Sequence, residues 1–97
     1  MPSIRLAPRA ESEYLALKKN PASQITFKAV RSSLDKMAVN LRHPSLNTHE
    51  FRSFAGPNGE KIFEAYAQNN TPGAYRIFWY YGPERGDVTI LAITPHP

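Results

Sequence analysis

Apolar and polar positions follow two rhythms along this chain, and the change between them divides it roughly in half. A short opening strand, Ser3 to Leu6, puts Ile4 and Leu6 on one face and Arg5 on the other. Ala7, Ala10, Tyr14 and Leu17 then recur at spacings of three, four and three, which makes one helical stripe. Pro8 suits the first turn of that helix, where its missing N–H would be unpaired anyway. Glu11 and Glu13 lie early and Lys18 and Lys19 late, as the helix dipole prefers. Asn20-Pro21 breaks this helix and opens the next, with Asn20 or Ser23 as the cap. Phe27, Val30, Leu34, Met37 and Leu41 recur at three, four, three and four, with Ala38 widening the stripe. The second helix is expected to end near Leu41, before His43-Pro44. Its short connection to the first makes an antiparallel hairpin.

From Leu46 onward the period is two. Leu46 to Phe54 reads as a strand, and Gly56-Pro57-Asn58-Gly59 as a turn. Lys61 to Gln68 is a cleaner strand, with Ile62, Glu64 and Tyr66 on one face and Phe63, Ala65 and Ala67 on the other. A loop follows over Asn69 to Gly73, then a strand from Ala74 to Tyr81. Gly82 to Gly86 turns the chain into a last strand, Asp87 to Ile93, rich in β-branched residues. Thr94-Pro95-His96-Pro97 is the tail. Short links make these four strands an antiparallel meander on which the helices can pack. The expected architecture is α+β: an N-terminal strand and two-helix hairpin packed on an antiparallel sheet, in the order β-α-α-β-β-β-β, as one domain over residues 1–97.

The strand Ala74–Tyr81 is unusual. Tyr75, Ile77, Trp79 and Tyr81 point one way; Arg76, Phe78 and Tyr80 point the other. Both faces are apolar or aromatic, as for a central strand covered on two sides. A guanidinium among those rings needs a reason. One reading gives Arg76 a carboxylate on the neighbouring strand, with Glu64 the obvious partner. The other gives it an anionic ligand, since a guanidinium can grip a phosphate with two parallel hydrogen bonds.

Composition narrows the classes. There are no cysteines among the 97 residues, which removes disulfides, thiolate chemistry and zinc-thiolate sites and fits a reducing cytoplasm. No run approaches the roughly 18 apolar residues of a membrane helix, and no signal-peptide core is visible, so a soluble cytoplasmic protein with no membrane partner is expected. The net charge of +4 is unevenly spread. Residues 1–48 hold eight Lys/Arg against three Asp/Glu; residues 49–97 hold four against five. The helical half is therefore the basic one, and an acidic partner would suit it.

There is no phosphate-cradling glycine loop, nucleophile elbow or HExxH pair. His43, His49 and His96 show no metal-ligand spacing, and no cofactor is implied. Arg76, His96 and Glu64 are the candidate catalytic residues. His96 sits between two prolines, and an imidazole can give or take a proton near neutrality. Lys61, Arg52 and Tyr80 are the candidate substrate contacts, two cations and one ring able to stack on a base. Most of the aromatic residues are expected to be core. His49, Glu50 and Arg52 also read as ordinary strand-surface residues.

Taken as a set, five features resemble the RelE/ParE superfamily of bacterial toxins from type II toxin–antitoxin systems. They are the Pro8–Leu17 helix, the Arg42-His43-Pro44-Ser45-Leu46 junction, the Gly56–Gly59 turn, the Ala-Tyr-Arg-Ile-Phe-Trp-Tyr block and a final strand ending in a histidine. The resemblance implies a small toxin neutralised by an acidic, partly disordered antitoxin that wraps it. Many members cut messenger RNA on the ribosome; related ones poison DNA gyrase by binding. In the ribonuclease branch the arginine of the Tyr-Arg block, here Arg76, contacts the scissile phosphate, and a C-terminal histidine or tyrosine, here His96, protonates the leaving group. For the base, Glu64 and Glu50 both remain open. Some family ribonucleases carry a lysine pair on the strand before the Tyr-Arg strand. Here that strand has only Lys61, at its start, so gyrase inhibition and an inactive antitoxin-binding module stay open as alternatives.

Overall fold

The computed structural model describes residues 1–96 and has the expected element order. Strand β1 (Ser3–Leu6) leads into helix α1 (Pro8–Lys19), then α2 (Gln24–Val39), β2 (His49–Phe51), β3 (Ile62–Tyr66), β4 (Tyr75–Tyr81) and β5 (Asp87–Pro95). The sheet order is β1-β5-β4-β3-β2, which makes β4 the central strand. β2 to β5 form the antiparallel meander. β1 adds to its edge by pairing parallel with β5, Ser3 opposite Asp87 and Leu6 opposite Ile90.

The helices cover one face. Ala10 and Leu17 of α1 and Phe27, Val30 and Met37 of α2 pack against Ala65, Ile77, Trp79, Val88, Ile90 and Ile93. These are the stripes and strand faces that the periodicity selects. Ser33 is also buried, and its hydroxyl donates to the Tyr66 carbonyl at 3.3 Å. The other face carries a smaller apolar cluster of Ile62, Phe78, Tyr80 and Ala92, with Phe51 and Leu91 beside it. Phe51 and Phe54 pack their rings edge-on or tilted against each other and against Phe78, with centroids 5.0 to 6.0 Å apart. β4 is thus covered on both faces, as its composition requires.

Three elements, β2, α2 and β5, differ from expectation at their ends, and β3 is shorter than the expected Lys61–Gln68. The strand expected over Leu46–Phe54 is ordered as a sheet member only at His49–Phe51. Its beginning is instead a 3-10 turn, Pro44–Leu46, closed by Asn47 in a left-handed conformation (φ 46°). Proline lacks the ladder N–H and a left-handed residue cannot continue a strand, so pairing starts late. α2 stops at Val39, with Leu41 still packed on the core from the following turn. α2 begins at Gln24 with Ser23 at the cap position, the later of the two expected starts, after a 3-10 turn (Pro21–Ser23) in which Asn20 accepts the Ala22 N–H at 3.0 Å.

The third difference matters most. β5 continues to Pro95, past the expected end at Ile93. Its pairing with β4 shifts by one residue between Phe78 and Trp79: Trp79 opposes Ile90, whereas Phe78 opposes Ala92. Leu91 is the extra residue of a β-bulge. Strict alternation from Val88 and Ile90 would turn residues 92, 94 and 96 toward the helices. The bulge resets the phase, so that Ile93 faces the helices and Ala92 and Thr94 face away. The His96 N–H then donates to the Ala74 carbonyl at 2.7 Å, extending the ladder by one bond. Pro97, expected to stiffen the tail, lies outside the described residues.

Beyond Leu6, no strand among the described residues lies on the outer side of β5. There Glu13 of α1 accepts the Ile93 N–H at 2.8 Å, while Arg9 holds the same carboxylate at 3.2 Å. No helix among the described residues is long and apolar enough to cross a membrane. In the β2–β3 loop, Glu60 accepts the Asn58 N–H at 2.8 Å, which holds its carboxyl below the usual carboxylate range. A lowered carboxylate value stabilises the folded turn above that range, and the contribution fades as pH falls through it.

The packing sets an expected stability contrast. Ile77→Ala, at a fully buried position, costs about 2–5 kcal/mol in urea unfolding. Ile25→Ala, on the exposed side of α2 at 83% exposure, stays within about 0.5 kcal/mol.

Candidate functional site

The face away from the helices holds a group of charged residues at the end of the sheet where β3 leaves and β4 enters. The register builds it. His49 of β2 lies opposite Glu64 of β3, and Tyr66 of β3 lies opposite Arg76 of β4. Thr94 of β5 lies opposite Arg76 on the other side. Glu64 and Arg76 are thus diagonal neighbours on one face, within reach of long side chains. The β3–β4 loop ends at Gly73, whose positive φ of 65° suits glycine and returns the chain to start β4.

Glu64 is 3% exposed, and three nitrogen-bearing side chains surround its carboxylate. His49 Nε2 lies 2.7 Å from Oε1. Arg76 Nε and His96 Nδ1 lie 3.7 and 3.6 Å from Oε2. The last two are ion-pair distances and too long for hydrogen bonds. Accordingly Glu64 Oε2 and Arg76 Nε have no hydrogen-bond partner among the described residues. Arg76 is nearly as buried as Glu64, and its guanidinium carbon sits 3.6 Å above the Tyr66 ring. One terminal nitrogen, Nη1, donates to the carbonyls of Gln68 and Tyr75. The ring contact and the carbonyls compensate the desolvated cation in addition to the ion pair. His49 and His96 are about half exposed, so the cluster has a buried acid and base pair beneath two accessible imidazoles.

The sequence left Arg76 between an ion pair with Glu64 and an anion contact. The ion pair is present. The structure also brings together all three candidate catalytic residues, Arg76, Glu64 and His96. It separates the two candidate bases. Glu50 lies opposite Phe63, on the other face from Glu64, and is paired with Arg52 at 3.8 Å. Arg52 and Lys61 are exposed and line a different hollow of about 530 Å³, with Phe54 and Glu60. Tyr80 is 8% exposed and packs with Ile62, Phe78 and Ala92. These three therefore stand apart from the Glu64 cluster. The Tyr66 platform belongs to it, and so does His49, which reads from the sequence as an ordinary strand-surface residue. A short edge strand shows no register by itself, and only the pairing with β3 brings His49 to Glu64.

A cation in this cluster is already supplied by Arg76. Among the described residues no group of three or more His, Asp or Glu is arranged to hold a metal ion. Removing the carboxylate should expose the cost of the guanidinium. Glu64→Ala leaves Arg76 buried without its partner and is expected to cost about 3–5 kcal/mol in chemical unfolding. Glu64→Ala combined with Arg76→Met should recover much of that loss; additive losses would show that the pair is not coupled.

No protein-family model matches the chain, and no curated protein matches it in sequence. Solved structures do match in fold. The YoeB/ParE toxin from Agrobacterium tumefaciens superposes with a TM-score of 0.71 over 100% of both chains, at 5% identity. The YoeB–YefM toxin–antitoxin complex from Staphylococcus aureus gives 0.68 over 100% of this chain and 99% of the other, at 13% identity. The archaeal RelE–RelB complex from Pyrococcus horikoshii gives 0.64 over 97% and 93%, at 12% identity. The described order of strands and helices, matched end to end by these toxin structures, is the RelE/ParE-type fold.

Proposed function

We propose that this chain is the toxin of a type II toxin–antitoxin pair and that the Glu64–Arg76–His96 cluster cleaves messenger RNA on the ribosome. The observation that carries the reading is the setting of Glu64 Oε2, an acceptor with no hydrogen bond among the described residues, between the Arg76 guanidinium at 3.7 Å and the His96 ring at 3.6 Å. Cleavage by an adjacent ribose hydroxyl needs a base, a fixed cation and an acid, and these are the three groups gathered here.

In this mechanism Glu64 Oε2 takes the proton of the 2′-OH. The 2′-oxygen bonds to the adjacent phosphorus, and the bond from phosphorus to the 5′-oxygen breaks. His96, protonated, gives its proton to that departing oxygen. The products are a 2′,3′-cyclic phosphate and a 5′-hydroxyl end, and no external oxidant or nucleophile is consumed. Arg76 stabilises the negative charge that grows on the phosphoryl oxygens. Its ring contact and carbonyl bonds fix its position beforehand, so little reorganisation is needed. His96 stands over Oε2 with half its surface exposed, so its ring must swing aside for RNA to reach the carboxylate.

The partner follows from charge. Lys18, Lys19, Lys28 and Arg31 are exposed on the helical half, the side with the basic excess. An acidic antitoxin segment is drawn to that surface, and solved relatives in fold are toxin–antitoxin complexes.

The test uses the purified protein on translating ribosomes. His96→Ala, at a half-exposed position, is expected to fold normally and to cut RNA about 10²–10⁴-fold more slowly. Cut ends should carry a cyclic phosphate. Intact RNA together with arrested supercoiling by gyrase would reject the ribonuclease reading in favour of gyrase inhibition.

A further inference from the structure

The two oxygens of Glu64 are held in different ways, and the difference lies in His49. Its Nε2 is 2.7 Å from Glu64 Oε1. Its other nitrogen, Nδ1, is 2.9 Å from the carbonyl oxygen of Asn47. A backbone carbonyl can only accept, so Nδ1 must carry the hydrogen. That settles the tautomer of the neutral ring, which then has a bare Nε2. A bare nitrogen cannot sit 2.7 Å from a carboxylate oxygen without a proton between them. Either the ring is an imidazolium that donates to a carboxylate, or a carboxylic acid donates to the neutral ring. Both descriptions hold one proton between Nε2 and Oε1.

The backbone supplies the constraint. Asn47 adopts its left-handed conformation where the 3-10 turn Pro44–Leu46 closes, and its N–H donates to the Pro44 carbonyl at 3.2 Å. This turn sets its carbonyl against the His49 ring. The Tyr66 ring stands edge-on to His49 at 6.0 Å and 83°.

We infer that His49 is a positioning residue for Glu64: it holds a shared proton on Oε1, fixes the carboxylate, and leaves Oε2 as the atom that exchanges protons with substrate. The last clause rests on the ribonuclease reading above; the shared proton does not. The groups facing Glu64 are His49 from β2, Arg76 from β4 and His96 from the end of β5, with Tyr66 next on its own strand.

The shared proton also changes the charge of the cluster. Glu64 and Arg76 alone would cancel, and a neutral cluster has little attraction for a phosphodiester. With the extra proton the His49–Glu64 pair is neutral in either description, and the charge of Arg76 is left over. The site then presents one net positive charge before His96 is counted, which matches the single negative charge of the scissile phosphate.

Nitrogen-detected NMR of the full-length protein tests the proton, with His49 assigned by comparison with His49→Gln. Nδ1 is expected to stay protonated between about pH 6 and 8. A neutral His49 ring with hydrogen on Nε2 and a bare Nδ1 would overturn the inference. Cleavage tests the positioning. His49→Ala should lower kcat about 10–100-fold with little change in KM, the usual loss when a group that orients a functional side chain is removed. His49→Gln can still donate to Oε1, so it should restore part of kcat. A His49→Ala protein with unchanged kcat removes the positioning role. Absence of any cleavage by the parent protein sinks the ribonuclease reading, and the NMR result then decides the shared proton by itself.

Discussion

A carboxylate buried in the middle of a β-sheet has to be compensated, and the whole far side of this sheet is arranged around doing so. Glu64 is almost wholly removed from water. The desolvation of such a charge is worth several kcal/mol, so its neighbours must be cations or donors. Three neighbouring segments each provide one: His49 from the edge strand, Arg76 from the central strand and His96 from the end of β5. None of these reaches Glu64 unless all four strands pair in the observed register. The ion cluster and the sheet therefore specify one another.

The two faces of the sheet divide the work. The helix-covered face holds the larger apolar cluster, and the rings of Trp79 and Phe63 stack there at 4.9 Å. The opposite face starts with a small apolar cluster around Phe78 and ends in the charged group. Because the first face supplies most of the buried apolar area, the second can hold a partly unsatisfied carboxylate and guanidinium without loss of the fold. Among the described residues, the buried side-chain polar atoms without a hydrogen-bond partner are Glu64 Oε2 and Arg76 Nε, where the chemistry is proposed, and Trp79 Nε1 in the helix-covered core. Such concentration of incompletely paired groups is common at functional sites.

The bulge at Leu91 links the core to the chemistry. One extra residue in β5 lets Val88, Ile90 and Ile93 all face the helices while the end of the strand turns His96 to the opposite face. Without a change of phase, a strand that buried Val88 and Ile90 would turn Ile93 away from the helices and His96 toward them.

The amino-acid sequence by itself determined the elements and their faces. Stripes at helical spacing select α1 and α2, and strict alternation sorts Ile62, Glu64 and Tyr66 from Phe63, Ala65 and Ala67. Such patterns are local, set by the period of each element, and so they survive reading without coordinates. Arg76 was legible as an anomaly for the same reason, as was Glu64 as its partner. The tertiary structure decided what depends on pairing between strands distant along the chain. It trimmed β2 to three residues, set His49 against Glu64, and moved Glu50, Arg52 and Lys61 away from the cluster. It buried Tyr80 and put β1 parallel to β5. It also placed the bulge that carries His96 to Oε2, because register and its slips arise from the contacts of two strands together and are written in neither one alone.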